Sequence, residues 1–277
     1  MTGTHAPSGV PFVKGHGTEN DFILLPDPDG TLGVTAGQVR AVCDRHAGLG
    51  ADGIIRVAPA PPGSEAAFVM DYRNADGSFA QMCGNGARVF ARFLVDDGWA
   101  PPGRLLFSTR GGLRTADVPA DGDVTIGMGP ATVGNASTAR IGDLQIAGVA
   151  VDVGNPHLAC LTDIDLAGVD LSVPPWYEKF DFPEGVNIEI ITGIGPDQIR
   201  MRVHERGVGE TRSCGTGTVA AAAAYLRANH RSTGTVEVSV PGGAVTVSIT
   251  DDDSTLTGPA VLVASGTIDG AFWERHR

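Results

Sequence analysis

The sequence predicts an α/β chain of the α+β type, built as two pseudo-symmetric lobes, each a curved, mostly antiparallel sheet wrapped around a central helix. Three observations predict it. The stretch Met82-Cys83-Gly84-Asn85-Gly86-Ala87-Arg88 returns as Ser213-Cys214-Gly215-Thr216-Gly217-Thr218, a cysteine offset of 214 − 83 = 131. Each copy runs into a helical pattern set between short strand patterns, and Gly, Pro, Asn and Asp punctuate the strands. The second helical pattern holds Ala220 to Ala224 in a row, small, apolar and strongly helix-forming, which marks a helix buried on all sides.

In chain order, residues 10–14 and 22–25 read as strands around the turn Gly15 to Asp21. A helix follows over 35–46, with Val39, Val42, Cys43 and His46 on one face and Thr35 as N-cap. Strands are expected at 54–57 and 66–72, split by Pro59-Ala60-Pro61-Pro62-Gly63, and then the tight loop Asn74 to Ser78. The helix after Cys83 runs to about residue 97, where Gly98 and Pro101-Pro102 stop it. Strands near 104–109, 113–118 and 123–128 close the first unit as a meander. The second unit repeats this plan: strands at 149–153 and 158–161 around Gly154-Asn155-Pro156-His157, strands at 186–191 and 198–204, the loop from Glu205, and the helix to about residue 229. Strands at 235–240, 243–250, 255–257 and 260–268 follow. Two duplicated units are expected: an N-terminal lobe over 1–128, completed by about 264–277, and a C-terminal lobe over 129–263.

Composition bounds the function. A chain of 277 residues with 42% apolar content can build sizeable cores. A net charge of −12 argues against nucleic acid or an anionic membrane as partner, because both call for basic patches. Met1 to Val10 has neither the basic nor the apolar region of a signal peptide, and no apolar run approaches the ~20 residues of a membrane span, so a cytoplasmic protein is expected. Four cysteines make no disulfide framework and are expected to be free thiols.

Cys43 and Cys160 read as small buried hydrophobes, one on an apolar helix face and one in Leu158-Ala159-Cys160-Leu161. Burial does not explain Cys83 and Cys214, which stand at matching Gly-rich helix starts. A helix N-terminus lowers a thiol pKa and offers backbone N–H groups to a carboxylate, and glycine lets that ligand approach. Two such stretches suit stereoinversion: one thiolate takes the α-proton from one face and the other thiol returns a proton to the opposite face. No metal site is expected, since the pair lacks zinc-ligand spacing. Nor is a cofactor: Gly-x-Gly without GxGxxG is no dinucleotide fingerprint, and Lys14 and Lys179, the only lysines, lie in no motif.

Asn20, Asn74, Asn155 and Asn187 each fit a structural turn as well as a ligand role. Together with Glu205 and Arg206 they offer hydrogen bonds to a substrate with amino and carboxylate groups at both ends; Arg206 suits a second carboxylate and Glu205 an ammonium. His157 reads either as a turn histidine or as a residue tuning a thiol.

At these residues the chain resembles the diaminopimelate epimerase family. The matching pieces are Gly-Thr-Glu-Asn-Asp-Phe (17–22), Asn-Ala-Asp-Gly-Ser (74–78), Cys-Gly-Asn-Gly-Ala-Arg (83–88), Gly-Asn-Pro-His (154–157), Gly-Val-Asn (185–187), Glu-Arg-Gly-Val-Gly-Glu-Thr (205–211) and Cys-Gly-Thr-Gly (214–217). The resemblance implies a cofactor-independent isomerase that interconverts L,L- and meso-diaminopimelate for lysine and cell-wall synthesis, working as a homodimer. It implies Cys83 and Cys214 as acid/base thiols, with Gly84, Asn85, Gly215 and Thr216 cradling the reacting carboxylate. It implies Asn20 and Asn155 near the reacting end, Asn74, Asn187, Glu205 and Arg206 at the distal end, and His157 and Glu205 influencing the thiols. Two positions depart from the pattern: Thr18-Glu19 intervene before Asn20, and Gly53 stands where some relatives carry glutamine. The competing readings are a proline or hydroxyproline racemase of the same fold, which has no second amino acid end for Glu205-Arg206 to bind, and a dithiol redox protein.

Overall fold

The structure is a computed structural model that describes residues 9–277, so the reading of Met1 to Val10 falls almost wholly outside the described residues. The chain divides into two compact units. One comprises the chain up to Gly17 with Asp21–Gly122 and Ala260–Arg277; the other comprises Thr18–Asn20 and Asp123–Pro259.

The elements of the first half are β1 (Val10–Gly17), β2 (Asn20–Pro26), α1 (Ala36–Cys43), β3 (Gly53–Pro59), β4 (Phe68–Asn74), α2 (Gly84–Asp96), β5 (Gly103–Thr109) and β6 (Gly112–Val118). Next come β7 (Val124–Gly127), β8 (Thr132–Ile141), β9 (Leu144–Asp152), β10 (Pro156–Leu161), the short β11 (Trp176–Tyr177), β12 (Asn187–Gly195), β13 (Gln198–Glu205) and β14 (Gly209–Thr211). The chain closes with α3 (Gly215–Ala228), β15 (Gly234–Val240), β16 (Gly243–Ile249), β17 (Ser254–Gly258), β18 (Val261–Ile268) and α4 (Gly270–Arg275).

The duplication is visible in the strand pairing. In the first unit β2 pairs parallel with β3, β3 antiparallel with β4, β4 parallel with β5, and β5 antiparallel with β6. In the second unit β10, β12, β13, β15 and β16 repeat that series of parallel and antiparallel pairings in order. Each helix that starts at a Cys-Gly-x-Gly stretch connects the two strands of the second parallel pair, the usual reason for a crossover helix. The remaining pairs, among them β8 with β9 and β1 with β18, are antiparallel. β7 pairs antiparallel with β17, so residues 124–127 lie in the second unit.

The central helices are buried. Val89, Phe90, Ala91, Phe93 and Leu94 of α2 are at most 1% exposed, and α2 packs against β1, β3, β4, β6 and β18. In α3 the alanines Ala220 to Ala224 let strands on every side approach, and it touches β8, β9, β10, β12, β13, β15, β16 and β17. A side chain larger than methyl at those positions would overpack the unit, at about 1–3 kcal/mol each.

Local signals explain the rest of the first unit. Thr35 caps α1 as expected, in a capping box with Gln38. Gln38 also donates from Nε2 to the Trp273 carbonyl at 3.2 Å, which holds α4 against α1 over a cluster of Val39, Val42, Ile268 and Trp273. The turn between β1 and β2 is tighter than the sequence suggests. Thr18 and Glu19 form a two-residue hairpin connection with φ of 50° and 59°, the pattern of a type I′ turn, which Asn and Gly normally fill. Two residues in that region carry strain and need outside support. Thr18 has it: its hydroxyl donates to Ser213 Oγ at 2.7 Å, and Glu19 is ion-paired with Arg212.

Among the described residues, no helix is long and apolar enough to cross a membrane.

Candidate active site

Both motif cysteines are helix N-caps. Cys83 caps α2 in extended backbone (φ −142°, ψ 114°) and its Sγ accepts from Gly86 N–H at 3.4 Å. Cys214 caps α3 in nearly the same conformation (φ −128°, ψ 117°), with Gly217 N–H donating to Sγ at 3.4 Å. A capping residue satisfies one first-turn donor, and the other first-turn amides have no acceptor within the helix. Those amides belong to Gly84 and Asn85 in one unit and Gly215 and Thr216 in the other, and they sit at the positive end of a helix dipole.

In the first unit Cys83 is half-buried and Asn85 is buried. Asn74 ends β4 and closes its loop by donating from Nδ2 to Ser78 Oγ at 3.0 Å, while Gly77 supplies the positive φ of 89°. Phe79 follows in the segment leading to Cys83, stacked between the guanidinium groups of Arg73 and Arg110 at 4.4 and 3.7 Å from its ring centre. Arg88 of α2, a charged residue that the helical pattern gives no reason to bury, is wholly inside.

In the second unit the polar residues form several hydrogen-bonded groups. The thiol is 7% exposed, and Thr216 Oγ1 lies 3.6 Å from Sγ. Glu205, at the end of β13, accepts from the Thr211 hydroxyl. Burial pushes the Cys214 thiol well above its ordinary pKa, and negative charge on Glu205 pushes the same way. Burial likewise raises Glu205. Asn155 and His157 are joined by a 3.1 Å hydrogen bond between Oδ1 and Nε2. Asn187 Oδ1 accepts from Arg206 N–H at 2.9 Å, and Arg206 itself is exposed, with Nη1 donating to the Glu184 carbonyl at 2.9 Å.

The residues selected from the second half of the sequence are thus neighbours in one unit: Asn155, His157, Asn187, Glu205, Arg206, Cys214, Gly215 and Thr216. Cys83, Gly84, Asn85 and Asn74 belong to the first unit, and Asn20 to the Thr18–Asn20 segment that clusters with the second. Sequence reasoning missed Glu189. It stands on β12 between Ile188 and Ile190, wholly buried, with Oε1 2.7 Å from His157 Nδ1. The signal was one carboxylate inside the otherwise apolar run Ile188 to Ile191, a setting in which an unpaired acid is costly.

Comparison with known proteins places the chain in a family. A family model described as diaminopimelate epimerase matches residues 12–134 and 149–263. The chain is 50% identical to a diaminopimelate epimerase of Mycobacterium ulcerans (strain Agy99), over 96% of this chain and 99% of the relative. It is 48% identical to one of Thermobifida fusca (strain YX), over 93% and 97%. Among solved structures, a hydroxyproline epimerase from Agrobacterium vitis superposes with a TM-score of 0.67 at 15% identity, over 94% of this chain and 92% of that one. A phenazine biosynthesis protein of the PhzF family from Bacillus anthracis gives 0.67 at 14%, over 94% and 99%. At such identities the structural matches speak for the fold alone.

Proposed function

The chain belongs to the diaminopimelate epimerase family and is an isomerase, and on that premise we propose that it interconverts L,L- and meso-diaminopimelate by a two-base reaction of Cys83 and Cys214, serving lysine and peptidoglycan synthesis. The observation that carries the mechanism is the shared capping geometry: two thiols, each at the first turn of a Gly-x-Gly helix, each with its Sγ on the third-residue amide.

One thiolate removes the α-proton. The electron pair passes into the α-carboxylate, whose growing charge the first-turn amides of Gly84, Asn85, Gly215 and Thr216 stabilise. The other thiol then gives its proton to the opposite face. Forward and reverse reactions exchange the roles. Burial and the charge of Glu205 favour the protonated form of Cys214. Glu205, whose negative charge opposes thiolate formation at Cys214, adjusts that balance, and Asn74, Asn187 and Arg206 read the distal amino acid end. Asn20 and Asn155 contact the substrate near its reacting carbon.

Incubation with L,L-diaminopimelate in deuterated water tests this. The expected result is inversion with deuterium at the inverted α-carbon, abolished in both Cys83→Ala and Cys214→Ala. Full turnover in either variant would refute the two-thiol mechanism.

A further inference from the structure

The proposed mechanism leaves one buried titratable group unused, Glu189. Three features of its setting are unusual. First, its strand position is apolar: in register it lies between Ala159 of β10 and Val203 of β13. Second, its Oε1 makes a 2.7 Å hydrogen bond to His157 Nδ1 while Oε2 has no hydrogen-bond partner among the described residues. Third, it presses on the first turn of α3. A β-carbon at Gly217 would come within 2.6 Å of Glu189 Oε1 and 3.3 Å of Cys214 Sγ.

These facts locate the protons. A buried carboxylate with one bare oxygen is an expensive species, whereas a neutral carboxyl that donates through Oε1 leaves only a carbonyl oxygen bare. If Oε1–H donates to Nδ1, then His157 is neutral and carries its proton on Nε2. Nε2–H then donates to Asn155 Oδ1, 3.1 Å away. The asparagine amide is thereby turned with its NH₂ outward.

We propose that Glu189 is a positioning residue that works as a neutral acid, heading a relay Glu189–His157–Asn155 that fixes Asn155 as a hydrogen-bond donor toward the substrate and keeps a second negative charge away from Cys214. The placement of Asn155 at the substrate rests on the reading under Proposed function; the relay itself does not. Burial raising the Glu189 carboxyl above its ordinary range is consistent with the neutral form. The groups facing Cys214 fit as well. Negative charge on Glu205 of β13 already opposes thiolate formation, and an ionised Glu189 on β12 would add to it. A relay of this kind also explains why His157 and Glu189 are both 0% exposed while Asn155 is half-buried: the inner two members set the direction of the outer one.

The test uses the full chain. In nitrogen-15 NMR of the imidazole at neutral pH, His157 should appear as the neutral Nε2–H tautomer. An imidazolium, or the Nδ1–H tautomer, would overturn the proposal. Infrared spectra should show a protonated-carboxyl stretch that Glu189→Gln removes; a band unchanged by that substitution would also overturn it. Neither readout depends on the substrate, so both stand or fall separately from the epimerase reading. In the assay with diaminopimelate, Glu189→Gln should keep kcat within about threefold, because the amide NH₂ can donate to Nδ1 as the acid does. Glu189→Ala, if folded by circular dichroism, should raise KM about tenfold, the loss of one oriented hydrogen bond, with a smaller change in kcat. An alanine variant with native KM would show that the relay does not orient Asn155.

Discussion

Cys83 and Cys214 cap their helices with the same geometry but different exposure: each Sγ accepts from its third-residue amide at 3.4 Å, yet Cys83 is half-buried while Cys214 is 7% exposed. Alkylation requires the thiolate and a path to it. Burial denies Cys214 the path, and burial with the neighbouring Glu205 carboxyl opposes its ionisation. Iodoacetamide should therefore modify Cys83 first and Cys214 at least ~10-fold more slowly. Cys43 and Cys160, both buried, should stay unlabelled until the chain unfolds. Peptide mapping over a time course gives the order, and Cys214 labelled ahead of Cys83 would contradict it.

The glycines two residues into α2 and α3 look equivalent in the sequence but are not equivalent in space. A β-carbon on Gly86 would meet Ile55 Cδ1 and Met70 Cε at 3.1 Å, both flexible side-chain ends. On Gly217 it would meet Glu189 Oε1 at 2.6 Å, an atom held by His157. Gly86→Ala should be close to neutral, because the gain in helix propensity of up to ~1 kcal/mol offsets the crowding. Gly217→Ala should lose about 1–3 kcal/mol to overpacking and lose activity with it. Urea titration and kcat on the two variants separate the cases; equal behaviour would mean that the Glu189 contact is not rigid.

That inequality shows what the sequence carried and what it did not. The repeat was legible because the Cys-Gly-x-Gly stretch and the strand spacing around it recur at a fixed offset, and the two central helices followed from that and from Ala220 to Ala224. The network partners within a unit were legible as polar residues at strand ends. Several features were not. The hairpin of β8 and β9 was largely missed, because its outward residues, such as Gly134, Asn135 and Gln145, hide the alternation of a strand that is exposed along much of its length. The parallel pairs β2 with β3 and β10 with β12 depend on long-range register, which local pattern does not encode. The turn expected over Gly15 to Asp21 closes in only two residues, which neither Thr18 nor Glu19 signals as a type I′ turn; the Ser213 and Arg212 contacts that hold it come from nearly two hundred residues away. Glu189 was hidden in an apolar run, and its meaning lies in which face of β12 it occupies.

The buried structural thiols predict how stability depends on alkaline pH. Burial, the largest cause for each, pushes both Cys43 and Cys160 up from 9.0 to about 12. A folded-state pKa above the unfolded value means that the fold retains the proton. The stabilisation is then complete below pH 9, where both states are protonated, and is lost as pH rises from 9 to 12, where only the unfolded chain ionises. The slope is roughly 1.4 kcal/mol per pH unit for each thiol within that window. Unfolding free energy measured between pH 8 and pH 12 should fall accordingly, and Cys43→Ala and Cys160→Ala should each flatten the decline while lowering stability at pH 8. A decline of unchanged steepness in both variants would assign it to other groups.

In the proposed reaction Arg206 chooses the substrate. Its backbone is pinned by Asn187 Oδ1, and one guanidinium nitrogen is pinned by the Glu184 carbonyl, each at 2.9 Å. Gly185, at φ 89°, leaves room for the stem: a β-carbon there would sit 2.7 Å from Arg206 Cδ. Among the described residues no acid pairs with the side chain, and a carboxylate is the ligand that a guanidinium binds in two parallel bonds. Arg206→Ala should raise KM for diaminopimelate by roughly 10- to 100-fold, the loss of about 1.5–3 kcal/mol for a charge-assisted contact. Arg206→Lys should recover only part of that, since an ammonium keeps the charge and loses the fork. Binding of an amino acid with a single carboxylate should change little in either variant. Equal losses for both kinds of ligand would place Arg206 in the support of the loop rather than at the distal carboxylate, and selectivity would then have to come from Asn74 or Asn187.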